Sequence, residues 1–176
     1  MTDEPIRCPK CGHSLRIVFG GSAIVCRSCG ASWVASGKPI CESLNAREDA
    51  VVSQIAYALR QIREEGGQGN FAIFEADRKR NYYVQVAGSS EKPEIYGEAA
   101  SNNVLTPQDA LDEQQIDLLA SLGWHPPSPN DLNFRQVWVA SSKDAYQRVA
   151  SGILQTLIEV YGFSPDQELS VGVTLE

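Results

Sequence analysis

Phe71-Ala72-Ile73-Phe74-Glu75-Ala76, Tyr82-Tyr83-Val84-Gln85-Val86-Ala87 and Glu94-Ile95-Tyr96-Gly97-Glu98-Ala99 follow one another with only short polar turns between them. The runs are rich in β-branched and aromatic residues, the side chains that fit a pleated, half-buried surface. Three such runs separated by turn chemistry predict an antiparallel meander. Arg78-Lys79-Arg80, a dense basic cluster, falls in the first turn, where charge is solvated. Successive strand side chains point to opposite faces, so Tyr82 and Tyr83 cannot both enter one core. Gly97 interrupts the third run and is a candidate bulge.

Helical patterns surround the meander. Upstream, Val51, Val52, Ile55, Leu59 and Ile62 share one helical face, with Asn45 as the expected N-cap, Glu48 three residues on, and Gly66-Gly67 as the stop. Downstream, Asp112 and Gln115 form a capping-box pair, and Leu111 and Ile116 make a hydrophobic staple. Leu118, Leu119 and Leu122 continue that helix, and Gly123 closes it. Thr106-Pro107 is a rival start, which would give a short extra turn upstream.

Trp124-His125-Pro126-Pro127-Ser128-Pro129 cannot be regular structure, because three prolines fix φ and remove donors. Residues 132–140 are strand-like, with Phe134 and Trp138 on one side. A last helix starts near Ser141 or Ser142, carries Val149, Ile153, Leu157 and Tyr161 on its apolar stripe, and stops at Gly162 before Pro165. Residues 169–175 form a final strand. The order is helix, three strands, helix, strand, helix, strand. It predicts an α+β fold with an antiparallel sheet packed against helices. One face of that sheet lies under helices and the other is at least partly free.

The N-terminal segment follows different chemistry. Cys8-Pro9-Lys10-Cys11-Gly12 and Cys26-Arg27-Ser28-Cys29-Gly30 are two C-x-x-C-G turns separated by fourteen residues. That is close to four-thiolate zinc spacing, though one residue short of the usual range. Leu15–Phe19 and Ala23–Val25 are rich in strand formers, Gly20-Gly21 between them is a hairpin signal, and Ser32-Trp33-Val34 adds a third short strand. The pattern is that of a zinc ribbon with Cys8, Cys11, Cys26 and Cys29 as ligands. Zn²⁺ is the expected ion, and iron in a rubredoxin-like site uses the same four thiolates. Four sulfurs leave no open coordination position, so the metal is structural. It staples a segment too small for a full core. Disulfides would need an oxidising compartment, and Met1-Thr2-Asp3-Glu4-Pro5 lacks the apolar run of a signal peptide. The domain plan is a ribbon at 1–36, a linker at 37–43 and the α+β domain at 44–176, in a protein expected to be soluble and cytoplasmic.

Charge narrows the partners. The whole chain carries a formal −7. Residues 44–176 hold ten basic and nineteen acidic side chains, while residues 1–43 are slightly basic. Neither part has the basic footprint of a nucleic-acid binder. No run approaches the roughly 18 apolar residues of a membrane span.

An ordered series of short motifs runs through the larger domain. Tyr83-Val84-Gln85-Val86 is followed by the strand around Glu98, by Ser101-Asn102, and by Leu111-Asp112-Glu113-Gln114. Leu122-Gly123-Trp124, Asn133-Phe134 and a closing Val160-Tyr161-Gly162 complete it. Over residues 44–176 the chain resembles the YbjN and type III secretion chaperone-like superfamily, the TY-Chap domains. The resemblance implies a non-enzymatic binding module that holds a client peptide or protein in extended form along an α/β surface. It also implies a possible homodimer, since many secretion chaperones dimerise.

Catalytic signatures are missing. His13 and His125 have no evident partner, and neither a G-x-S-x-G elbow nor a dinucleotide fingerprint is present. Tyr83 and Trp138 are the candidate peptide-binding side chains, whereas Trp124 and Phe134 are expected in turn and core packing. The competing function is a nucleic-acid-associated regulator that binds through the ribbon, and the charge distribution disfavours it.

Overall fold

The computed structural model describes residues 23–25, 32–34, 41–65, 67 and 69–175. Two compact units divide the chain, Met1–Arg47 and Glu48–Glu176. In the first, strand β1 (Ala23–Val25) pairs antiparallel with β2 (Ser32–Val34), with Ile24 opposite Trp33. The run Ser32–Val34 is thus a strand, as its composition predicts. The predicted partner strand at 15–19, the metal ligands Cys8, Cys11, Cys26 and Cys29, and most of the linker lie outside the described residues.

Helix α1 spans Cys41–Glu64. It begins four residues before the predicted cap at Asn45, because 41–44 contain neither proline nor glycine to stop it. Its Val51, Ile55, Leu59 and Ile62 are buried, the stripe read from the sequence. The meander follows as β3 (Phe71–Asp77), β4 (Tyr82–Ser89) and β5 (Lys92–Ala99), each antiparallel to the next. The basic cluster sits in the β3–β4 turn, as predicted.

Helix α2 (Glu113–Ser121) carries the predicted capping box. Gln115 N–H donates to Asp112 Oδ1 at 2.8 Å, and Asp112 N–H donates to Gln115 Oε1 at 3.0 Å. At its end Gly123 adopts φ +90°, a conformation that costs little only without a Cβ. Strand β6 (Phe134–Val139) leads through the N-cap Ser142 into α3 (Lys143–Glu159). Strand β7 (Ser170–Thr174) closes the chain.

The sheet order is β6-β5-β4-β3-β7, antiparallel throughout. The α+β class and the element order are those predicted. Ala72, Phe74, Tyr82, Val84, Val86, Ile95 and Ala99 point to one face. They form a single core with the buried residues of α1, α2 and α3. Tyr161, pressed against Tyr82 at 5.2 Å between ring centres, donates its hydroxyl to the Ala100 carbonyl at 2.8 Å. Burial of that phenol pushes its pKa well above the ordinary tyrosine value.

The opposite face presents Phe71 and Ile73 of β3, Tyr83, Gln85 and Ala87 of β4, Tyr96 and Glu98 of β5, and Arg135, Val137 and Val139 of β6. This follows from the strand register. No helix among the described residues packs there. One expectation fails: the ladder runs straight through Gly97, opposite Val86 and Gln136, and the β4–β5 irregularity lies at Gly88–Ser89 instead. Gly97 serves a different purpose, because Trp138 occupies the space a side chain would need.

Candidate functional site

Strand β6 lies at an edge of the sheet, and its hydrogen-bond phase shows what that edge offers. Ala140 N–H donates to the Pro93 carbonyl at 2.9 Å, which places Ala140 in a bonded pair with β5. Bonded and non-bonded positions alternate along an antiparallel ladder. Phe134, Gln136 and Trp138 therefore turn their backbone groups inward to β5, and Arg135, Val137 and Val139 turn theirs outward. Arg135 is already matched: its N–H donates to the His125 carbonyl at 2.9 Å, and its carbonyl accepts from His125 N–H at 2.8 Å. Val137 and Val139 have no such partner among the described residues. The two residues are 52% and 66% exposed.

The proline loop ends this edge at one side. His125 bridges Arg135, and Ser128 bridges Asp131. Asp131 Oδ2 accepts from Arg135 Nη1 at 2.7 Å and from Ser128 Oγ at 2.8 Å. The Arg135 guanidinium first, and the Ser128 hydroxyl second, hold the Asp131 carboxyl below its usual pKa. At the other side the chain leaves the sheet at Ala140 for α3. Between β6 and α3 a hollow of about 340 Å³ is lined by Val137, Trp138, Val139, Ala145, Arg148 and Val149.

The two aromatic candidates do not share a site. Tyr83 stands on the uncovered face, half-buried, with its hydroxyl accepting from Asn133 Nδ2 at 3.1 Å. Asn133 is buried, also donates to Glu98 Oε2 at 3.2 Å, and accepts the Ser101 N–H at 3.3 Å. Tyr83 is thus held in a polar cluster beside the β5–β6 end of the sheet. Trp138 stands on the covered face, edge-on to Trp124 at 5.5 Å. Trp124 and Phe134 are core residues, as expected, and Trp124 Nε1 donates to Thr156 Oγ1 at 3.0 Å. Val137 and Val139 were not singled out from the sequence. Their alternation with Gln136 and Trp138 marks a strand, but edge position is a property of strand order.

A second hollow of about 560 Å³ lies between α1 and the start of α3, lined in part by Tyr57, Arg60, Lys143 and Tyr146. Arg60 is already engaged, stacked on Tyr57 at 5.5 Å and paired with Glu64 at 3.8 Å. Among the described residues no cluster of histidine, cysteine, aspartate or glutamate could hold a metal. No helix among them is long and apolar enough to cross a membrane.

A family model described as T3SS (YopN, CesT) and YbjN peptide-binding chaperone 3, TY-Chap3, covers residues 49–174. No curated protein and no solved structure matches the chain.

Proposed function

The chain belongs to the TY-Chap3 family of peptide-binding chaperones, and on that premise we propose that it is a non-enzymatic module holding an extended client peptide against the outer edge of β6. The observation that carries this reading is the pair of outward backbone positions at Val137 and Val139. Proteins commonly blunt an open edge with lysine, proline or a bulge, and this edge shows two exposed valines instead. In strand addition the main chain supplies affinity and alternate side-chain pockets supply selectivity. A client strand here would lay one set of side chains beside Val137 and Val139 on the uncovered face. Its alternate side chains would reach the hollow under Trp138. The acidic balance of residues 44–176 favours a client with basic flanks.

The test is an array of ten-residue peptides with alternating valine and lysine, probed with protein diluted to about 1 μM and compared with serine–glutamate alternation. The valine–lysine series is expected to bind, and the Val139→Pro variant to lose that binding while keeping its fold. Val139 N–H points outward, so proline there removes no bond to β5. Equal binding by the variant sinks edge addition. No binding by any series sinks the client reading altogether.

In the same reading Cys8, Cys11, Cys26 and Cys29 hold a structural zinc in a cytoplasmic protein. The antiparallel pairing of Ala23–Val25 with Ser32–Val34 supports this, because those two strands flank Cys26 and Cys29 in the sequence.

A further inference from the structure

We propose that Glu94, with Tyr96 beside it, selects a basic side chain in the client at the position opposite Val139, and that arginine fits it best. The proposal deepens the strand-addition reading above and rests on it. Glu94 stands on β5 directly opposite Val139 of β6. On its other side the β4–β5 ladder leaves it without a counterpart. Gly88 pairs with Ile95 and Ser89 with Lys92, and Glu94 falls in the irregularity between them. A hollow of about 270 Å³ opens there on the uncovered face, with Ala87 and Tyr96 in its lining and Glu91, Lys92 and Glu94 as its charged groups.

The Glu94 carboxylate is unsatisfied at rest. Its Oε2 is shielded from solvent and has no hydrogen-bond partner. Among the described residues no cation makes an ion pair with it, Lys92 included. Glu98, on the far side of Tyr96, differs, because Asn133 Nδ2 already donates to it. A shielded oxygen without a donor costs free energy, so little opposes its turning toward an arriving cation that supplies one. Tyr96, 43% exposed, adds an aromatic surface beside the carboxylate. A guanidinium meets both groups, since it is planar, carries several donors and stacks on aromatic rings, whereas an ammonium is a point charge.

Reach sets which client residue this is. Directly opposite residues on neighbouring strands share a face. The client residue across from Val139 therefore points to the uncovered face, in line with Val139 and Glu94. Two strand spacings, about 10 Å, separate its backbone from that of β5. Arginine or lysine, extended over Val139 toward the glutamate, covers that span, and its apolar stem shields the exposed valine on the way. The other face of the client meets the opposite charge, because Arg148 lines the hollow under Trp138 and repels a cation there. A client strand that alternates basic and apolar residues is thereby oriented, with basic side chains toward Glu94 and apolar ones toward Trp138.

Fluorescence anisotropy on the full chain at about 0.15 M salt tests this with two ten-residue peptides. One alternates valine with arginine, and the other alternates valine with citrulline, which has arginine's length without its charge. The parent is expected to bind the arginine peptide about tenfold more tightly. Glu94→Gln should lose that preference and bind the citrulline peptide as the parent does. Asp117→Asn, which removes the same charge from α2, should keep it. Glu94→Lys, a second variant, should prefer a valine–glutamate peptide. Equal binding of both peptides by the parent overturns the proposal. So does a Glu94→Gln protein that keeps the preference or weakens both peptides alike, and so does an Asp117→Asn protein that loses as much. In each of these cases peptides still bind and Val139→Pro still abolishes binding, so strand addition stands. A parent that binds neither peptide brings down strand addition and the Glu94 assignment together.

Discussion

Replacing Gly97 with alanine probes the tightest packing in the domain. A Cβ on residue 97 would stand 2.5 Å from Trp138 Cη2 and 3.3 Å from Trp124 Cη2, with Trp138 Cζ3 nearer still. Real Cβ contacts do not come that close, so the Trp138 ring must move. Trp124 cannot yield easily, since it is buried and hydrogen-bonded to Thr156. Overpacking of this kind costs about 1–3 kcal/mol. Alanine returns about 0.4–1 kcal/mol by stiffening the unfolded chain. The balance is a loss of about 1–2 kcal/mol, or about 4–7 °C in Tm for a cooperative unit of roughly 130 residues. Thermal and urea unfolding of G97A, W138L and the double variant measure it. With leucine at 138 the indole is gone, and the alanine should cost less than about 0.5 kcal/mol. The cycle should therefore show a coupling of about 1–2 kcal/mol. A G97A protein as stable as the parent, or a zero coupling, would refute the packing argument.

Three further outcomes are expected. Thr156→Val keeps the volume but strands the buried Trp124 indole N–H, and urea unfolding should show a loss of about 1–3 kcal/mol. Asp131 has a depressed pKa in the folded state, so its contribution is full above the ordinary carboxylate pKa of about 3.9 and disappears as pH falls through the lower folded value. Below that window the stability difference between the parent and Asp131→Asn should vanish, and a pH-independent difference would show that the Arg135 contact is not the cause. Metal analysis of reduced protein should find one zinc per chain. Chelation should remove it and unfold the first segment while the far-UV signal of the larger unit persists, and a protein without zinc or iron would end the ribbon assignment.

Much of the fold is legible in the sequence where the deciding interactions are local. The Asp112–Gln115 box works within one helical turn, so its residues identify it wherever the helix lies. The β3–β4–β5 meander follows from short polar turns that bring each strand back antiparallel beside the one before it. Asn45 shows the limit of such reasoning, since a cap-forming residue is overridden when the residues before it also accept the helix. Gly97 shows another: a glycine in a strand signals that something approaches, and only the tertiary structure identifies Trp138 rather than a bulge. Tyr83 and Trp138 looked alike as exposed aromatics, yet register puts them on opposite faces. Asn133 is legible as part of the Asn133-Phe134 motif, but its bonds to Tyr83, Glu98 and Ser101 are not, because those partners lie 32–50 residues away.

By itself, then, the sequence determined the element order, the α+β class and the motif series shared with its family, all set by hydrogen bonds and periodicities within a few residues. Tertiary structure decided that β7 pairs with β3 and β6 with β5, and hence that β6 is an edge. Which backbone groups of Val137 and Val139 face outward depends on the phase of a ladder with a distant strand. No local preference of the residues themselves encodes that phase.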